Sequence, residues 1–250
     1  MRSRVDVYDH MLRLQADMAY PYERSLYQTQ SWKRSTTVLD FGCGNAHYLA
    51  KLRGAYPDKV YLGVEHDPDM AARAQARYGD DLRILAGDVD CLPTNYSFDC
   101  LLLRLVCLHL PNRRILQELV KRHGTPTAHV IVIDADDEFF MFDPEPPRFL
   151  TALRRLREEQ AVNRELRQVV AKEWTDAGFV QSFEHRFIIN SDYPGNRERM
   201  FLYMYMTAEL ALGAPLDRNI AEELLEWVLD GVSYVQYGVF GSVFERKASA

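Results

Sequence analysis

The chain has 250 residues, of which 47% are hydrophobic and 26% are charged, which is ordinary for a globular protein and enough for one large α/β domain. The formal net charge of -6 argues against a nucleic-acid partner, because such binding needs clustered Lys and Arg to displace counterions. The N-terminal segment MRSRVDVYDHMLRL has charges throughout and no continuous apolar run, so we predict neither a signal peptide nor a transmembrane helix. The expectation is a cytoplasmic protein with no membrane partner.

The N-terminal region, roughly Val5 to Trp32, has helical spacing and precedes the first predicted strand. From about Val38 onwards, apolar runs alternate with helical patterns, an order that predicts a parallel sheet covered by helices on both faces. The predicted strands are TTVLDF (36–41), KVYLGVE (59–65), LRILAG (82–87), FDCLLLR (98–104) and HVIVID (129–134). Between them we predict helices in which Pro68 and Pro111 occupy first turns and Gly124 marks an end.

The second half of the chain begins with a long helical stretch from about Pro147 to Ala177, which could break near Asn163. Two segments then alternate like strands, FVQSFEHRFII (179–189) and SYVQYGVFGSVFERK (233–247). We predict that they pair as an antiparallel hairpin. The residues between them, 190–232, would then form a helical excursion from the sheet.

These patterns divide the chain into a core of residues 34–189 plus 233–250, an N-terminal helical cap of residues 1–33, and a helical insertion of residues 190–232. Both segments outside the sheet are rich in Tyr, Phe, Met and Trp. That composition suits packing of extra helices onto the core, and it also suits a cover over an apolar substrate chamber. The two interpretations are compatible, since one face of a cap can pack while another lines a cavity. The candidate substrate-binding residues in these segments are Tyr20, Tyr27 and Tyr203.

The segment TTVLDFGCGNAHYL places a glycine-rich turn directly between a predicted strand and a predicted helix. In an open parallel sheet, ligands bind at the carboxyl ends of the strands, where the strand order reverses. Gly42 and Gly44 allow a tight turn and let the backbone approach a ligand without an intervening β-carbon. The following helix directs the positive end of its dipole at the same corner. The sequence therefore predicts a ligand site at this turn.

Two common nucleotide sites do not fit this turn. The dinucleotide fingerprint requires a small third residue, but counting from Gly42 that position is His47, which is too large for close contact between helix and strand. A phosphate-binding P-loop requires Gly-Lys-Ser/Thr, and no such tripeptide follows the glycines.

Four motifs in a fixed order fit this corner and the strand ends that follow it. From about Val38 to Phe187 the chain resembles the class I S-adenosylmethionine-dependent methyltransferases, through VLDFGCGNA, VYLGVEHDPDM, LAGDVDCLP and FDCLLLRLVCLHLPN. The resemblance implies a Rossmann-like, seven-stranded, mostly parallel sheet, with S-adenosylmethionine as cofactor and S-adenosylhomocysteine as product. Each motif alone could be an ordinary turn or helix cap, and their joint order is what makes the resemblance specific.

The first motif would surround the methionine part of the cofactor. The resemblance assigns this role to Asp40, Gly42, Gly44 and Asn45. Ala46 stands where the family most often has a third glycine. This departure is mild, because a single methyl group at the start of a helix still allows close approach.

The later motifs would hold the adenosine and the amine of the cofactor. The resemblance implies that Glu65 accepts both ribose hydroxyls, with His66 beside the cofactor. Asp88 would receive the adenine amino group, and Val89 would lie beside the adenine ring. The strand-end backbone around Arg104 would meet the methionine amine.

The reaction implied by the resemblance is in-line transfer of a methyl group to a docked acceptor, driven mainly by positioning. A base is needed only if the acceptor must lose a proton before attack. His109 in CLHLPN is the candidate base, and a packed histidine that holds the turn is the other interpretation of this residue.

A metal site is not expected. Asp134, Asp136, Asp137 and Glu138 follow the fifth strand and could bind a divalent ion or orient a substrate, but a solvated loop is the favoured interpretation. The acid-acid-Asn set of metal-dependent catechol methyltransferases is absent. The four cysteines have neither CxxC pairing nor zinc-ligand spacing, so we expect reduced and mostly buried thiols.

The acceptor is expected to be a small organic molecule, methylated on oxygen, nitrogen or carbon, in secondary metabolism. Nucleic-acid methyltransferases that act on amino groups usually carry Asn/Asp-Pro-Pro-aromatic after the fourth strand, where this chain has RLVC. An alternative keeps the fold without methyl transfer, as a binding or regulatory module or as a cofactor-dependent cyclase or isomerase. The sequence leaves the oligomeric state open, and a dimer is compatible with it.

Overall fold

The computed structural model describes residues 3–159, 166–213 and 216–247. The strands in these ranges are β1 (Thr37–Phe41), β2 (Val60–Glu65), β3 (Arg83–Ala86), β4 (Phe98–Arg104), β5 (Gly124–Ala135), β6 (Met141–Asp143), β7 (Phe179–Asn190) and β8 (Tyr234–Arg246). The helices are α1 (Arg4–Glu23), α2 (Gln30–Arg34), α3 (His47–Ala55), α4 (Pro68–Tyr78), α5 (Arg114–His123), α6 (Pro147–Glu159), α7 (Arg167–Asp176), α8 (Asn196–Leu212) and α9 (Arg218–Leu229). Short 3₁₀ helices follow several of these elements.

All the described strands belong to one sheet, in the order β3-β2-β1-β4-β5-β8-β6, with β7 paired to β8. Strands β1 to β5 run parallel to one another, while β8 runs antiparallel to both β5 and β7. The strand order reverses between β1 and β4, which creates the crevice where ligands bind in such sheets. This confirms the predicted fold class. The short strand β6, which pairs with the start of β8, adds an eighth strand to the seven that we predict.

The central strands are buried on both faces, as the continuous apolar runs predict. Alternate residues of a strand point to opposite faces of the sheet. Accordingly Leu102 and Ile131 belong to one hydrophobic core, whereas Leu101 and Val130 belong to a second core on the other face. All four of these side chains are fully buried. Burial of both faces fixes the register in which the strands pair. The register in turn fixes where the carboxyl end of each strand lies along the edge of the sheet.

The segment 190–232 contains α8 and α9, and the N-terminal region contains α1 and α2. Helix α8 packs against α1, α6 and α9. Met200 and Met204 on α8 are fully buried in the same core as the sheet residues on that face. The two helical segments therefore meet each other over one face of the sheet, although they lie far apart in the chain.

Two local predictions differ from the structure in detail. Strand β5 begins at Gly124 rather than at His129, because Gly124 ends α5 and leads directly into extended backbone. Pro68 lies in the first turn of α4 as predicted, but Pro111 precedes α5, whose first residue, Arg114, donates its backbone N–H to a side chain two residues earlier. The break predicted near Asn163 lies outside the described residues.

Within the described part of the chain, no helix has both the length and the apolar character needed to span a membrane.

Candidate active site

A cavity of about 560 Å³ opens at the carboxyl ends of the central strands. Its floor is formed by the ends of β1, β2 and β4 and by the turns that follow them. Helices α1, α6 and α8 contribute walls and a cover. The volume falls within the range of about 300 to 1,000 Å³ that is usual for small-molecule sites.

The turn after β1 brings bare backbone to the cavity, and both of its glycines adopt left-handed conformations that disfavour a side chain. Gly42 has φ +78°, and a β-carbon added to it would lie 2.6 Å from Val106 Cγ2. Gly44 has φ +56°, and a β-carbon there would lie 2.9 Å from Leu12 Cδ1. Ala46, which is fully buried, also has a left-handed φ of 56°. An alanine in this conformation costs about 1 kcal/mol relative to glycine, so the departure from a third glycine carries a local strain.

The end of β4 is also strained. Leu105 has a left-handed φ of 57°, while its backbone N–H remains bonded to the carbonyl of Ile133 at 2.7 Å. A non-glycine residue in this region is uncommon. The turn after β1 and the end of β4 are therefore two segments of irregular backbone beside the cavity.

Three carboxylates from successive strand ends line the same cavity, namely Asp40 in the last two residues of β1, Glu65 at the end of β2 and Asp88 beyond β3. Glu65 Oε2 accepts from the backbone N–H of Gly44 at 2.7 Å, and its Oε1 accepts from Asp67 at 2.9 Å. Each carboxylate oxygen has a further lone pair that can accept a ligand hydroxyl. Asp88 is exposed, and its Oδ1 accepts from the N–H of Val89 at 2.7 Å.

The carboxyl group of Asp40 is almost fully buried, with only 2% of the residue exposed. Burial raises the pKa of Asp40 to about 7, because desolvation disfavours the charged form, and the charge of Glu65 adds to this effect. The guanidinium of Arg104 acts in the opposite direction and lowers the pKa. The Asp40 carboxyl therefore titrates near neutral pH in the absence of a bound cation.

Arg104 reaches the cavity inside a polar cluster. Its Nε donates to both carboxylate oxygens of Glu23 at 3.2 Å, and its guanidinium lies 4.3 Å from the centre of the Tyr48 ring. The Tyr48 hydroxyl is hydrogen-bonded to the Tyr27 hydroxyl at 2.6 Å. Neither Glu23 nor Tyr48 belongs to a recognisable motif, so no signal in the sequence indicates their place at the site.

Asn45 joins the glycine turn to the N-terminal helix. Its amide Nδ2 donates to both the backbone carbonyl and the carboxylate of Asp9 on α1, each at 2.8 Å. The same carboxylate forms a two-point ion pair with Arg77 of α4. Further along α1, Asp17 binds His47 at 2.9 Å and Lys51 at 2.6 Å. Acids on α1 therefore fasten this helix over the cavity.

The structure separates the predicted site residues into two groups. The cavity is lined by Asp40, Gly42, Gly44, Asn45, Glu65, His66, Asp88, Arg104, His109 and Tyr203. It is not lined by Val89, Tyr20 or Tyr27. Tyr27 is 1% exposed and packs against Trp32, and Tyr20 packs edge-on against Tyr48. Tyr20 and Tyr27 both contact Tyr48, which lines the cavity, so their assignment to substrate binding stays a prediction.

His109 occupies the short 3₁₀ helix Cys107–His109 after β4, where its side chain is exposed at the cavity. Arg113 supports this turn by donating to the carbonyl of Leu110 at 3.2 Å and by pairing with Glu173. The position of His109 is compatible with contact to an acceptor.

The acidic segment after β5 is engaged by cations and backbone amides. Arg186 pairs with Asp136 at 2.7 Å and also with Glu138. Asp134 accepts from the backbone N–H of Leu108 at 3.2 Å. Among the described residues, no group of three His, Cys, Asp or Glu side chains is arranged to hold a metal ion.

The other half of the cavity is mainly apolar, and motif analysis did not find it. Its walls come from β5, β7, β8, α6 and α8, and they include Leu153, Leu156, Arg157, Ile189, Tyr203, Thr207, Tyr237 and Val239. These residues are scattered over the chain, so no local pattern indicates that they share a wall. The cavity thus joins a polar half with bare backbone and carboxylates to an apolar half.

The polar half fits an adenosyl cofactor that carries hydroxyl groups and positive charge. Its glycine turn disfavours side chains, and its carboxylates can accept hydroxyl and amine protons. These are the features of this structure that suit S-adenosylmethionine.

Comparison with known proteins points to the same cofactor class. Residues 38–123 match the family model described as a methyltransferase domain. No curated protein sequence matches the chain. The matched residues contain the glycine turn and all three carboxylates of the polar half.

Several solved structures share the fold at low sequence identity. A proposed sarcosine dimethylglycine methyltransferase from Galdieria sulphuraria aligns with a TM-score of 0.55 and 12% identity, over 94% of this chain and 86% of that chain. Geranyl diphosphate C-methyltransferase from Streptomyces coelicolor A3(2), solved with Mg²⁺, geranyl-S-thiolodiphosphate and S-adenosylhomocysteine, aligns with a TM-score of 0.51 and 13% identity, over 85% and 70% of the two chains. The YcgJ protein of Bacillus subtilis aligns with a TM-score of 0.51 and 17% identity, over 85% and 93%.

The matched domain contains the glycine turn, the three carboxylates and Arg104, which line the polar half of the cavity. Over residues 38–123 the chain is similar to the methyltransferase domain family, and it shares its fold with solved methyltransferase structures.

Proposed function

We propose that this methyltransferase acts on a small organic acceptor that occupies the apolar half of the cavity. The observation that carries this proposal is the continuity of the cavity, which joins the carboxylate-lined half to an apolar half under α1, α6 and α8. An acceptor in the apolar half would face a cofactor in the polar half. The volume of about 560 Å³ favours a small molecule over a macromolecular substrate.

The cofactor-binding roles are also proposed. Glu65 would accept the ribose hydroxyls, Asp88 would receive the adenine amino group, and Asp40 would face the methionine amine. Gly42 and Gly44 would allow the backbone to lie against the cofactor. The positions of these residues around one cavity support the assignment.

When bound, the cofactor would supply an electrophilic methyl group. An electron pair of the acceptor would form the new bond to this methyl group. The electrons of the broken sulfur–methyl bond would remain on sulfur, giving S-adenosylhomocysteine. The protein would contribute mainly by holding the acceptor in line and excluding water. Such positioning can supply about 7 to 11 kcal/mol of the barrier. Helices α1 and α8 cover the cavity and contribute Leu12 and Tyr203 to its lining. Both helices would exclude water from the reacting groups.

We propose His109 as the base for an acceptor that must release a proton. It is exposed at the cavity, on the turn after β4. An acceptor that attacks with an unprotonated nitrogen would not need it. The proposed acceptor atom is oxygen, nitrogen or carbon. His109 would matter for catalysis only if that atom must lose a proton before it attacks.

An apolar chamber with aromatic side chains suits a secondary metabolite. The fold-sharing geranyl diphosphate C-methyltransferase supports an acceptor with an apolar body. We infer a role in secondary metabolism on these two grounds.

The experiment that tests the proposal uses S-adenosylmethionine carrying an isotopically labelled methyl group. The purified protein is incubated with fractionated small-molecule extracts, and mass spectrometry follows the label. We expect a labelled small molecule and an equal amount of S-adenosylhomocysteine. Label that appears only in protein or nucleic acid would contradict the proposed acceptor class.

A further inference from the structure

One end of the proposed cofactor carries a negative charge that the acids of the polar half would repel. The methionine part of S-adenosylmethionine, like that of S-adenosylhomocysteine, has an ammonium group and a carboxylate on the same carbon atom. In the proposed arrangement the ammonium faces Asp40, so the carboxylate must also lie near Asp40. Two carboxylates at close range repel each other unless a cation lies near them.

Arg104 is a cation at the place where the carboxylate would lie. Among the described residues that line the cavity, the permanent cations are Arg104 and Arg157, and Arg157 belongs to α6 in the apolar half. Asp40 of β1 lies opposite Leu102 of β4, and Arg104, two residues further along β4, points to the same face of the sheet as Leu102. The charge of Arg104 lowers the pKa of Asp40, which shows that the two side chains interact.

The guanidinium of Arg104 is compensated and held in place by the protein. Its Nε donates to both carboxylate oxygens of Glu23, each at 3.2 Å. The guanidinium also lies 4.3 Å from the centre of the Tyr48 ring. Both bonds to Glu23 use Nε, and within the described ranges no hydrogen bond uses the terminal nitrogens of Arg104. Glu23 therefore fixes one edge of the guanidinium, while its terminal N–H groups can bind a ligand in the cavity.

A carboxylate matches these terminal nitrogens in charge and in geometry. A guanidinium presents five N–H donors in a planar fork, and this fork can bond both oxygens of one carboxylate. Charged hydrogen bonds of this kind are about twice as strong as neutral ones. With the cofactor bound, the charges would alternate in the order Asp40, ammonium, carboxylate, Arg104 and Glu23. Each charge would then lie beside one of the opposite sign.

We propose that the terminal nitrogens of Arg104, held in place by Glu23, bind the carboxylate of the cofactor's methionine part. This inference rests on the proposed cofactor-binding roles and adds a specificity to them, because adenosyl compounds without the carboxylate should bind more weakly. The contact is made by the side chain of Arg104. It is separate from the contact of the strand-end backbone with the amine that the family resemblance implies.

The test compares two ligands that differ only in this carboxylate. They are S-adenosylhomocysteine and its decarboxylated analogue, in which a hydrogen atom replaces the carboxylate and the amine is retained. Isothermal titration calorimetry on the full chain measures both affinities. We expect the wild type to bind S-adenosylhomocysteine about tenfold to 100-fold more tightly than the analogue, as expected for hydrogen bonds to charged groups.

Variants at position 104 assign this preference to the guanidinium. Arg104→Lys keeps the charge but lacks the planar fork, so part of the preference should remain. Arg104→Met should abolish most of it. Because Arg104→Met leaves Glu23 buried without its partner and can impair folding, the double variant Glu23→Leu with Arg104→Met is measured as well. Affinity for the decarboxylated analogue should not fall in these variants, whereas general damage to the site would weaken both ligands.

The matched control is Lys51→Met. Lys51 pairs with Asp17 of α1 at 2.6 Å, just as Arg104 pairs with Glu23 of the same helix, but Lys51 does not line the cavity. This variant should keep the full preference for S-adenosylhomocysteine. The control therefore separates a direct contact with the carboxylate from a general effect of removing a cation that binds α1.

Two results would overturn the proposal: equal affinity of the wild type for the two ligands, or an undiminished preference in Arg104→Met or in the double variant. These results concern only the carboxylate contact if S-adenosylhomocysteine binds and labelled small molecules still form. Failure of the proposed function would instead appear as the absence of a labelled small molecule in the labelling experiment.

Discussion

Glu23, the last residue of α1, places both of its carboxylate oxygens 3.2 Å from Nε of Arg104, the last residue of β4. The side chains are 1% and 9% exposed. An N-terminal helix thus supplies the counter-charge for a cation buried at the end of a central strand. Because Arg104 also lies near Asp40 in the cavity, the docking of α1 and the electrostatics of the polar half are linked.

Removing the charge of Glu23 should destabilise the protein. Glu23→Gln leaves Arg104 buried without this partner, which typically costs about 3 kcal/mol or more when a buried pair is broken on one side. Urea unfolding followed by circular dichroism measures the free energy of unfolding. The double variant Glu23→Leu with Arg104→Met should recover most of the loss, because it buries no charge. A Glu23→Gln protein as stable as the wild type would show that the pair is unimportant.

Two glycine-to-alanine substitutions should have opposite effects. Gly42→Ala introduces a β-carbon 2.6 Å from Val106 Cγ2 at φ +78°, and the backbone strain alone costs about 1 to 2 kcal/mol. Gly54→Ala, within α3, meets no atom within 4 Å and should stabilise the helix by about 0.5 to 1 kcal/mol. Thermal melting of both variants checks the prediction. Equal melting temperatures would contradict the close approach at the turn.

Glu65→Ala should weaken binding of S-adenosylhomocysteine by about 1.5 to 3 kcal/mol, the usual contribution of hydrogen bonds to a charged group. The substitution also removes the acceptor for the N–H of Gly44. Isothermal titration calorimetry measures the affinity. Glu222→Ala is the control, since Glu222 pairs with Arg218 on the exposed surface of α9. Unchanged affinity in Glu65→Ala would remove the main support for the ribose assignment.

Asp40 should make stability and cofactor affinity depend on pH. Its folded pKa of about 7 is raised above the ordinary value of 3.8, so the native state holds the proton more tightly than the unfolded state. Its contribution to stability is therefore complete below about pH 4 and is lost as the pH rises toward about 7. Asp40→Asn should lack this loss, which thermal melting over the same pH range can show.

Cofactor binding should respond to pH in the opposite direction. If Asp40 faces the methionine amine, its ionised form binds more tightly, so affinity for S-adenosylhomocysteine should rise as the pH approaches about 7 from below. The heat of binding should also depend on the ionisation heat of the buffer, because a proton is released. An affinity profile identical to that of Asp40→Asn would place Asp40 away from the amine.

His109→Ala should separate catalysis from binding. If the acceptor loses a proton to His109, kcat should fall by about 100-fold or more, while the affinity for S-adenosylhomocysteine remains that of the wild type. The exposed position of this side chain makes a large effect on folding unexpected. Steady-state kinetics with the acceptor found by labelling would measure the change. A kcat close to that of the wild type would assign the histidine to the turn alone.

Much of the fold was accessible from local patterns. Central strands such as β4 consist of continuous apolar residues, because helices cover both faces of the sheet. The glycines and the acids at positions 40, 65 and 88 stand at strand ends, and the carboxyl ends of parallel strands share one edge of a sheet. Their assembly around one cavity therefore followed from the order of the elements.

For the helices that cover the cavity, the sequence predicted their existence but not their orientation. Helical periodicity identified α1 and α8, but it could not show which face of each helix meets the cavity. Tyr27 and Tyr48 illustrate the difficulty, since both are aromatic residues near the site, yet Tyr48 lines the cavity and Tyr27 does not. Local sequence carries no signal that distinguishes the two.

By itself, the amino-acid sequence determined the strands of the core, the bare-backbone turn and the acids of the polar half, because these depend on neighbours within a few residues. Only the tertiary structure decided that Glu23 neutralises Arg104 and that Asp9 binds both Asn45 and Arg77. Such contacts join residues that are remote in the chain, and the packing of the whole helical cover on the sheet sets their distances.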